Sequence, residues 1–489
     1  MKNQVQLIAY VDRLTGGGLR EMGQLLDGPL AGVFGGVHLL PFFFPIDGSD
    51  AGFDPIDHTQ VDPRLGTWED LKTLGSKIEL VADLIVNHAS SLSPQFQDFS
   101  SHGDESQYSG MFLTFKSVFP NGATEADLLQ IYRPRPGLPF THASLANGQK
   151  RLLWTTFTSQ QLDIDVSHPE GKRYLDAILT RFQRANVRTI RLDAVGYAIK
   201  RPGTTCFMIP ETFEFIKDLA GRAHTLGMEV LVEVHSYYKQ QVDIALQVDW
   251  VYDFALPPLI LHALFKADAN PLVRWIAIRP NNSFTVLDTH DGIGVIDVGA
   301  DSAGNPGLLE PSDINDLVDS VHRLSDGQSQ KATGAAANNL DLYQLNCTYL
   351  NALGNNETFY LIARAIQFFV PGIPQVYYVG LLGGTNDMEL LSRRGVGRDI
   401  NRHYYSPEEL SAALERSLVK RLLELIRIRN SHPAFNGKHI AESPARNLLT
   451  IAWERDNHWI TLKVDFARPS AIIEHSIGET SRHTTIQIG

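Results

Sequence analysis

The chain has 489 residues, of which 43% are hydrophobic and 20% are charged, and its formal net charge is −12 at pH 7. This composition is typical of a globular protein with enough apolar residues for a large core. The negative charge argues against nucleic acid or an anionic membrane surface as the main partner, because both repel an acidic protein.

The N-terminal segment and the cysteine content indicate the cellular compartment. The first ten residues show no basic start followed by an apolar core, so we expect no signal peptide. No apolar run reaches the roughly 18 residues that a membrane helix needs. The cysteines, Cys206 and Cys347, are too few for a disulfide framework and fit a reducing environment. We therefore expect a cytoplasmic protein with free thiols and no membrane segment.

Short runs rich in Val, Ile, Tyr and Phe alternate along the chain with longer amphipathic segments, a pattern typical of parallel strands joined by helices. The segments Pro169–Phe182 and Pro210–Leu219 have helical spacing and begin with proline. Eight such strands predict an α/β protein built on a (β/α)8 TIM barrel. The predicted strands are Val5–Tyr10, Gly36–Leu40, Leu80–Val86, Val187–Leu192, Glu229–Val234, Trp250–Phe254, Phe284–Leu287 and Gln375–Val379.

The spacing of these strands predicts inserted domains. About 100 residues separate the third strand from the fourth and nearly 90 separate the seventh from the eighth, too many for one crossover helix. After about residue 436 the pattern changes to alternating strands such as Leu448–Glu454 and His458–Val464, which predict a small antiparallel domain. The predicted division is a catalytic barrel (1–86, 168–291 and 356–436), an inserted domain B (87–167), a loop-rich inserted domain B′ (292–355) and a C-terminal β domain (437–489).

Charged side chains occur where the predicted strands end, which is where a barrel of this kind carries its catalytic groups. Each of them alone has an ordinary structural explanation, such as an ion pair, a capping carboxylate or a buried histidine. Together they place several carboxylates and histidines on one rim, where an ionised carboxylate beside a guanidinium can act as a nucleophile. The strand-end residues are Asp83 and His88, Arg191 and Asp193, Glu233 and His235, and His290 and Asp291.

These four segments resemble, in order and residue type, the motifs of the α-amylase superfamily (glycoside hydrolase family 13): Asp-x-x-x-x-His, then Arg-x-Asp, then Glu, then His-Asp. The resemblance implies that Asp193 is the nucleophile, Glu233 the general acid/base and Asp291 the carboxylate that stabilises the transition state. It also implies that His88, Arg191 and His290 contact the sugar or form ion pairs. Because Arg191 lies two residues from Asp193, we expect its charge to lower the pKa of that carboxyl.

Several loops resemble those of the sucrose phosphorylases, from the N-terminus to about residue 435. The resemblance implies retaining phosphorolysis of sucrose by inorganic phosphate, giving α-D-glucose 1-phosphate and D-fructose through a β-glucosyl-enzyme. It further implies reversibility, transglucosylation as a side activity, no cofactor, no metal ion and a homodimer. The segments that carry the resemblance are 38–58, 131–140, 191–197, 339–344 and 397–405.

The same resemblance assigns the remaining site residues. Asp50 and Arg398 are placed to hold distal sugar hydroxyls. The sugar ring is expected to contact Phe53, Phe157, Gln161 and Tyr197. The acceptor side is expected to include Tyr132, Arg135, His235, Asp341, Tyr343 and Gln344.

Phosphate must enter a site lined with carboxylates, so positive charge is needed there, and Arg135 is the leading candidate. Family resemblance attributes the exchange of acceptors to loop rearrangement. One arrangement offers Asp341 and Gln344 to the fructosyl unit, and the other offers Arg135 and Tyr343 to phosphate.

Three alternatives stay open at this point. The enzyme could be a related phosphorylase that acts on sucrose 6′-phosphate, glucosylglycerol or glucosylglycerate, since a few changes in the acceptor loops could redirect the activity. It could also be a sucrose hydrolase or transglucosidase. A non-catalytic transporter ectodomain is disfavoured, because such relatives carry a membrane helix and lack the complete catalytic set.

Overall fold

A closed barrel of eight parallel strands forms the centre of the protein in a computed structural model that describes residues 1–48, 50–133, 137–301, 303–333, 344–476 and 483–489. The strands pair in chain order, and the last strand pairs with the first. All eight predicted strands are present, with ends within two residues of the prediction. They are β1 (Gln6–Ala9), β2 (Gly36–Leu39), β3 (Glu79–Ile85), β4 (Val187–Asp193), β5 (Glu229–Val232), β6 (Trp250–Asp253), β7 (Ser283–Thr285) and β8 (Ile373–Tyr377).

The helices lie outside the barrel and in its connecting segments. The two predicted helices are present and longer than expected: one runs over Pro169–Arg184 and the other over Pro210–Thr225, where the added turn buries Ala220 and Ala223. The remaining α-helices are Val11–Thr15, Leu19–Asp27, Trp68–Gly75, Pro94–His102, Phe115–Val118, Glu125–Gln130, Tyr238–Ala245, Leu256–Lys266, Asn270–Ile278, Pro311–Leu324, Gln328–Thr333, Tyr349–Ala352, Glu357–Phe369, Tyr378–Leu381, Met388–Arg394, Pro407–Glu415 and Ser417–Ser431.

The segment between β3 and β4 forms two small antiparallel ribbons. His88–Ser90 pairs with Gln161–Asp163, and Phe140–Ser144 pairs with Lys150–Trp154. A small apolar cluster that includes Phe119 is separate from the main core. These features agree with a domain inserted at this point, while its limits at 87 and 167 remain a prediction.

The segment between β7 and β8 contains a short ribbon in which Ile293–Gly294 pairs with Gln344–Leu345. Gly294 lies opposite Gln344 in this ribbon, and Gln344 lines the pocket at the rim of the barrel. Residues 344–345 follow directly on 334–343, which lie outside the described part of the chain.

The C-terminal region is a five-stranded antiparallel sheet, as the alternating sequence pattern predicts. Its second strand buries alternate residues, and Trp453 donates a hydrogen bond from its indole Nε1 to the Phe369 carbonyl at 2.7 Å. That bond attaches the sheet to a helix of the barrel. The strands are Lys438–Glu442, Leu448–Arg455, His458–Asp465, Ser470–Ser476 and His483–Ile488.

Two further expectations concern thiols and membranes. Cys206 and Cys347 are buried free thiols, as predicted. Within the described ranges, no helix is both long and apolar enough to cross a bilayer.

Candidate active site

The carboxyl ends of the strands and their following loops enclose one pocket, and most of the predicted site residues line it. Asp193 ends β4, and Glu233 and His235 follow β5 directly. The predicted residues that line the pocket are Asp50, Phe53, His88, Phe157, Asp193, Tyr197, Glu233, His235, His290, Asp291, Gln344 and Arg398.

Arg191 lies beneath the pocket and contacts three carboxylates. Its Nη1 lies 2.6 Å from Oδ1 of Asp83 and 2.9 Å from Oδ1 of Asp193, and its Nη2 lies 3.4 Å from Oε1 of Glu233. The register of β3 and β4 places Arg191 opposite Asp83, so this contact follows from strand pairing. Arg191 therefore holds the predicted nucleophile and the predicted acid/base against one guanidinium.

Asp83 supports Arg191 from inside the barrel and has no exposed surface. Its Oδ2 also pairs with Nε2 of His38 at 3.1 Å. Burial raises the pKa of Asp83, but His38 and Arg191 outweigh that effect and lower the pKa to about 2. Asp83 is thus a permanent negative charge that fixes the position of Arg191.

The backbone next to the nucleophile adopts an uncommon conformation. Ala194 has φ +55°, in the left-handed region that non-glycine residues seldom occupy. Such conformations cluster at functional sites, where the surrounding structure holds them in place. This turn ends β4 directly after Asp193 and leaves that side chain on the pocket wall.

The pKa of Asp193 depends on more than the neighbouring guanidinium. Burial raises the pKa of Asp193 well above its usual value, and the charges of Glu233, Asp83 and Asp291 act in the same direction. Arg191 lowers the pKa as expected, but its effect is smaller than that of burial. The expected effect of Arg191 is therefore present, but the net pKa of Asp193 is raised, because the number of neighbouring carboxylates and the depth of the site depend on the tertiary structure.

Asp291 has the opposite electrostatic environment. Burial alone would raise its pKa, but Arg398, His290, Arg402 and Arg191 together hold that pKa far below its usual value. The largest of these effects comes from Arg398, whose Nη1 lies 2.7 Å from Oδ1 of Asp291. Asp291 is therefore ionised over the whole accessible pH range.

The glucosyl side of the pocket contains stacked rings and buried polar atoms. The Phe53 and His290 rings stack with centroids 4.7 Å apart, and burial lowers the pKa of His290 to about 3. Nε2 of His88 lies 2.9 Å from the Phe53 carbonyl oxygen and 3.1 Å from Nε2 of Gln161. Nδ1 of His88 is buried and has no partner among the described residues.

Three predicted site residues lie behind the pocket wall. Gln161 is buried and donates from Nε2 to Oδ2 of Asp50 at 3.3 Å. Arg191 lies under the carboxylates, as described above. Tyr132 stacks on Phe207, with ring centroids 4.5 Å apart, and burial raises its pKa to about 12. Arg191 forms the ion pairs that the resemblance offered as one of its two roles, and the substrate or acceptor contacts of Gln161 and Tyr132 remain predictions.

The acceptor side is only partly described. Gln344 donates from Nε2 to Nε2 of His235 at 3.1 Å, and its Oε1 accepts a hydrogen bond from Nη2 of Arg398 at 3.2 Å. Arg135, Asp341 and Tyr343 lie outside the described residues. Their assignments to phosphate and fructose remain predictions.

Sequence reasoning missed two side chains at this site. Phe207 lines the pocket and packs on Tyr197, with centroids 4.7 Å apart. It belongs to a connecting segment without periodicity, so no local pattern identifies it. Asp297 is fully buried and contacts His235. An acidic residue six positions after Asp291 was the only available signal.

One group of side chains in the described part of the chain could bind a metal ion. Possible ligand atoms of Glu233, His235 and Asp291 lie within 4.8 Å of one another. The guanidinium of Arg398 already neutralises Asp291 at 2.7 Å. A cation at this position would have to compete with that pair, so the donor set fits a carboxylate-based reaction better than a metal site.

Comparisons with known proteins agree with this geometry. The family description "Alpha amylase, catalytic domain" matches residues 32–246. A sucrose phosphorylase of Agrobacterium vitis is 62% identical over 97% of this chain and 98% of its own length. A sucrose phosphorylase of Bifidobacterium adolescentis is 53% identical over 97% of this chain and 96% of its own length.

Among solved structures, the sucrose 6F-phosphate phosphorylase of Thermoanaerobacter thermosaccharolyticum is similar, with a TM-score of 0.92 and 37% identity. The match covers 99% of this chain and 98% of that chain. The sequence relatives match nearly end to end, so the similarity includes the C-terminal sheet as well as the barrel. The chain therefore belongs to the α-amylase family and, within it, to the sucrose phosphorylase family.

Proposed function

We propose that the protein catalyses the phosphorolysis of sucrose to α-D-glucose 1-phosphate and D-fructose, with retention of configuration at the anomeric carbon. One observation carries this proposal: Arg191 contacts both Asp193 and Glu233 at the end of a pocket that also contains Asp291. Retaining glycoside chemistry requires two carboxyl groups close together, one to attack and one to transfer a proton.

In the first half of the reaction, Asp193 attacks the anomeric carbon while Glu233 protonates the departing fructosyl oxygen. The carbon–oxygen bond to fructose breaks as the bond to Asp193 forms, giving a β-glucosyl-enzyme. A proton on Glu233 removes one of the negative charges that raise the pKa of Asp193. With Glu233 protonated, Arg191 therefore favours the ionised, nucleophilic form of Asp193.

Asp291 stabilises the positive charge that develops on the sugar, because Arg398 and its other neighbours keep it ionised. His88 lines the pocket and forms a hydrogen bond with a sugar hydroxyl. Burial lowers the pKa of His88, so the ring is neutral. Phe53 offers an apolar face to the sugar ring, and Asp50 and Arg398 bind its distal hydroxyls.

In the second half, phosphate attacks the glucosyl-enzyme and Glu233, now a carboxylate, acts as the general base. A second inversion restores the α configuration. Arg135 and Tyr343 bind the phosphate, and Asp341 and Gln344 bind fructose. The reaction is reversible, and other hydroxyl acceptors lead to transglucosylation.

A cytoplasmic location and a homodimeric state are also part of this proposal, and no nucleic acid or membrane takes part. Light scattering on the purified protein tests the dimer, because the monomer mass is 54.4 kDa.

Product analysis with sucrose tests the function. The protein is incubated with sucrose with and without inorganic phosphate, alongside Asp193→Ala and the surface control Asp301→Ala. We expect phosphate-dependent α-D-glucose 1-phosphate and fructose, lost by at least ~10⁴-fold in Asp193→Ala and unchanged in the control.

Equal release of glucose and fructose regardless of phosphate would make the enzyme a hydrolase. A solved relative acts, by its name, on sucrose 6F-phosphate. Turnover of that substrate in preference to sucrose would move the proposal to the phosphorylated disaccharide.

A further inference from the structure

Asp297 is a fully buried carboxylate that contacts three groups around the acceptor side of the pocket. Its Oδ2 lies 2.9 Å from Nδ1 of His235. Its Oδ1 accepts hydrogen bonds from the backbone N–H of Ser236 at 3.1 Å and from Nε2 of Gln241 at 2.9 Å. The carboxylate is therefore held from three directions with one oxygen directed at the imidazole.

The backbone is shaped to admit this pair. A Cβ atom on Gly294 would lie 2.3 Å from Oδ2 of Asp297 and 2.9 Å from Nδ1 of His235. Glycine alone fits against the contact, and Gly294 pairs in the ribbon with Gln344. The other ring nitrogen of His235 contacts the side chain of Gln344. One ribbon thus positions groups on both sides of the imidazole.

The hydrogen bonds fix the tautomer of His235. Arg398 can only donate, so the Gln344 atom that faces it must be the amide oxygen. The amide nitrogen of Gln344 then donates to Nε2 of His235, which must carry the lone pair. It follows that the proton of the neutral ring is on Nδ1 and is donated to Asp297.

We propose that Asp297 is a positioning residue for His235. It fixes the imidazole as the Nδ1–H tautomer and turns Nε2 towards Glu233 and the acceptor. When the ring becomes cationic, the carboxylate of Asp297 compensates its positive charge. This proposal rests on the proposed function, because the acceptor is phosphate. In the phosphate complex, Nε2 takes a proton from dihydrogen phosphate. The ring then donates that proton in a hydrogen bond to the resulting monohydrogen phosphate, and the amide of Gln344 gives way.

The charges around the ring favour this cationic form. Burial lowers the pKa of His235, but Asp297, Glu233 and Asp291 outweigh burial and raise the pKa. One face of the ring is covered by Phe254, with centroids 3.8 Å apart, and Asp297 meets the ring at its edge. Arg398 acts against protonation, because it lies on the far side of Gln344. Of the described carboxylates of Asp297 and Glu233, that of Asp297 lies nearer, with Oδ2 2.9 Å from Nδ1, whereas Oε1 of Glu233 lies 3.9 Å from Nε2.

Asp297→Asn tests the proposal, with Asp301→Asn as the control on the same connecting segment. We expect kcat/KM for phosphate to fall roughly 10- to 100-fold, by analogy with the range found when the outer hydrogen-bond partner of a metal-binding histidine is removed. Hydrolysis of the glucosyl-enzyme by water should fall much less, because water is uncharged. The alkaline limb of kcat/KM for phosphate should move to lower pH, because removal of Asp297 lowers the pKa at which the cationic ring is lost.

Gly294→Ala is the second variant. It leaves the charge of Asp297 in place but inserts a methyl group between the two partners, and we expect the same selective loss towards phosphate. If Asp297→Asn does not fold, Gly294→Ala still tests the contact between Asp297 and His235.

A measurement that needs no substrate separates this proposal from the proposed function. In ¹⁵N-labelled enzyme, His235 should give the Nδ1–H signature, assigned by its loss in His235→Gln, and Asp297→Asn should change it. An Nε2–H tautomer in the wild-type enzyme would overturn the positioning role whatever the substrate is. Equal losses with phosphate and with water, and an unmoved pH limb, would overturn the role towards phosphate. Failure of sucrose turnover with the Nδ1–H signature present would count against the proposed function alone.

Discussion

The ammonium of Lys200 lies 2.5 Å from the carboxylate of Asp163, and both side chains are buried. The same ammonium contacts Oδ1 of Asn87 at 2.6 Å. Asp163 ends the ribbon strand that closes the first inserted segment, and Lys200 follows β4. One buried cation therefore joins the inserted segment to the barrel beside the pocket wall.

Replacing Lys200 with methionine should destabilise the protein strongly. The change leaves the carboxylate of Asp163 buried without its cation, which costs about 3–5 kcal/mol. Urea unfolding followed by tryptophan fluorescence measures the loss. The control Lys266→Met removes an ammonium from a largely exposed pair with Asp316 and should cost under about 1 kcal/mol. Equal losses in the two variants would contradict the structural role of Lys200.

Replacing Glu233 with glutamine should slow the phosphorolysis of sucrose by roughly 10²- to 10⁴-fold, because the fructosyl oxygen then leaves without a proton. α-D-Glucosyl fluoride should be affected much less, since fluoride leaves without protonation. Steady-state rates with the two donors check this difference. Asp193→Asn should lose activity with both, and a parallel loss with both donors in Glu233→Gln would rule out the acid role.

The acid limb of kcat/KM for sucrose should reflect Asp193. The nucleophile is active when ionised, so activity falls as pH falls through its pKa, and burial raises that pKa above the ordinary value of about 3.9. Asp291 has a lowered pKa and adds no limb in the measurable range. A pH–rate profile in low-salt buffers tests this, and a rate that stayed level down to pH 4 would show that Asp193 is not raised in the working enzyme.

Replacing Phe207 with alanine should raise the share of hydrolysis. The ring stacks on Tyr132 and packs at a tilt against Tyr197, and each such contact stabilises by about 0.5–1.5 kcal/mol beyond buried area. Without this ring, the packing of the pocket wall around Tyr132 and Tyr197 is looser, and we expect water to enter the pocket more easily. The ratio of glucose to α-D-glucose 1-phosphate measures the change. Phe213→Ala, on the helix Pro210–Thr225, is the control, and an equal ratio in both variants would exclude a specific role for Phe207.

The barrel was predictable because its signals are local. Runs such as Val187–Asp193 carry β-branched residues and end in charged ones, so both the strand and the rim residue are visible in the sequence. Boundaries were less predictable: β5 ends at Val232, where its pairing with β6 ends, and not at Val234. Lys200, Phe207 and Asp297 belong to connecting segments, whose side chains find partners distant in sequence, and no periodicity identifies them.

The sequence by itself determined which carboxylates reach the rim, because strand order and a two-residue period place Arg191 and Asp193 on the same face. Only the tertiary structure decided how those groups are charged. Asp193 has a raised pKa and Asp291 a lowered one, although the sequence motifs present both simply as aspartates. The reason is that burial and Coulomb interactions depend on distances between side chains from separate strands and loops, which no local pattern contains.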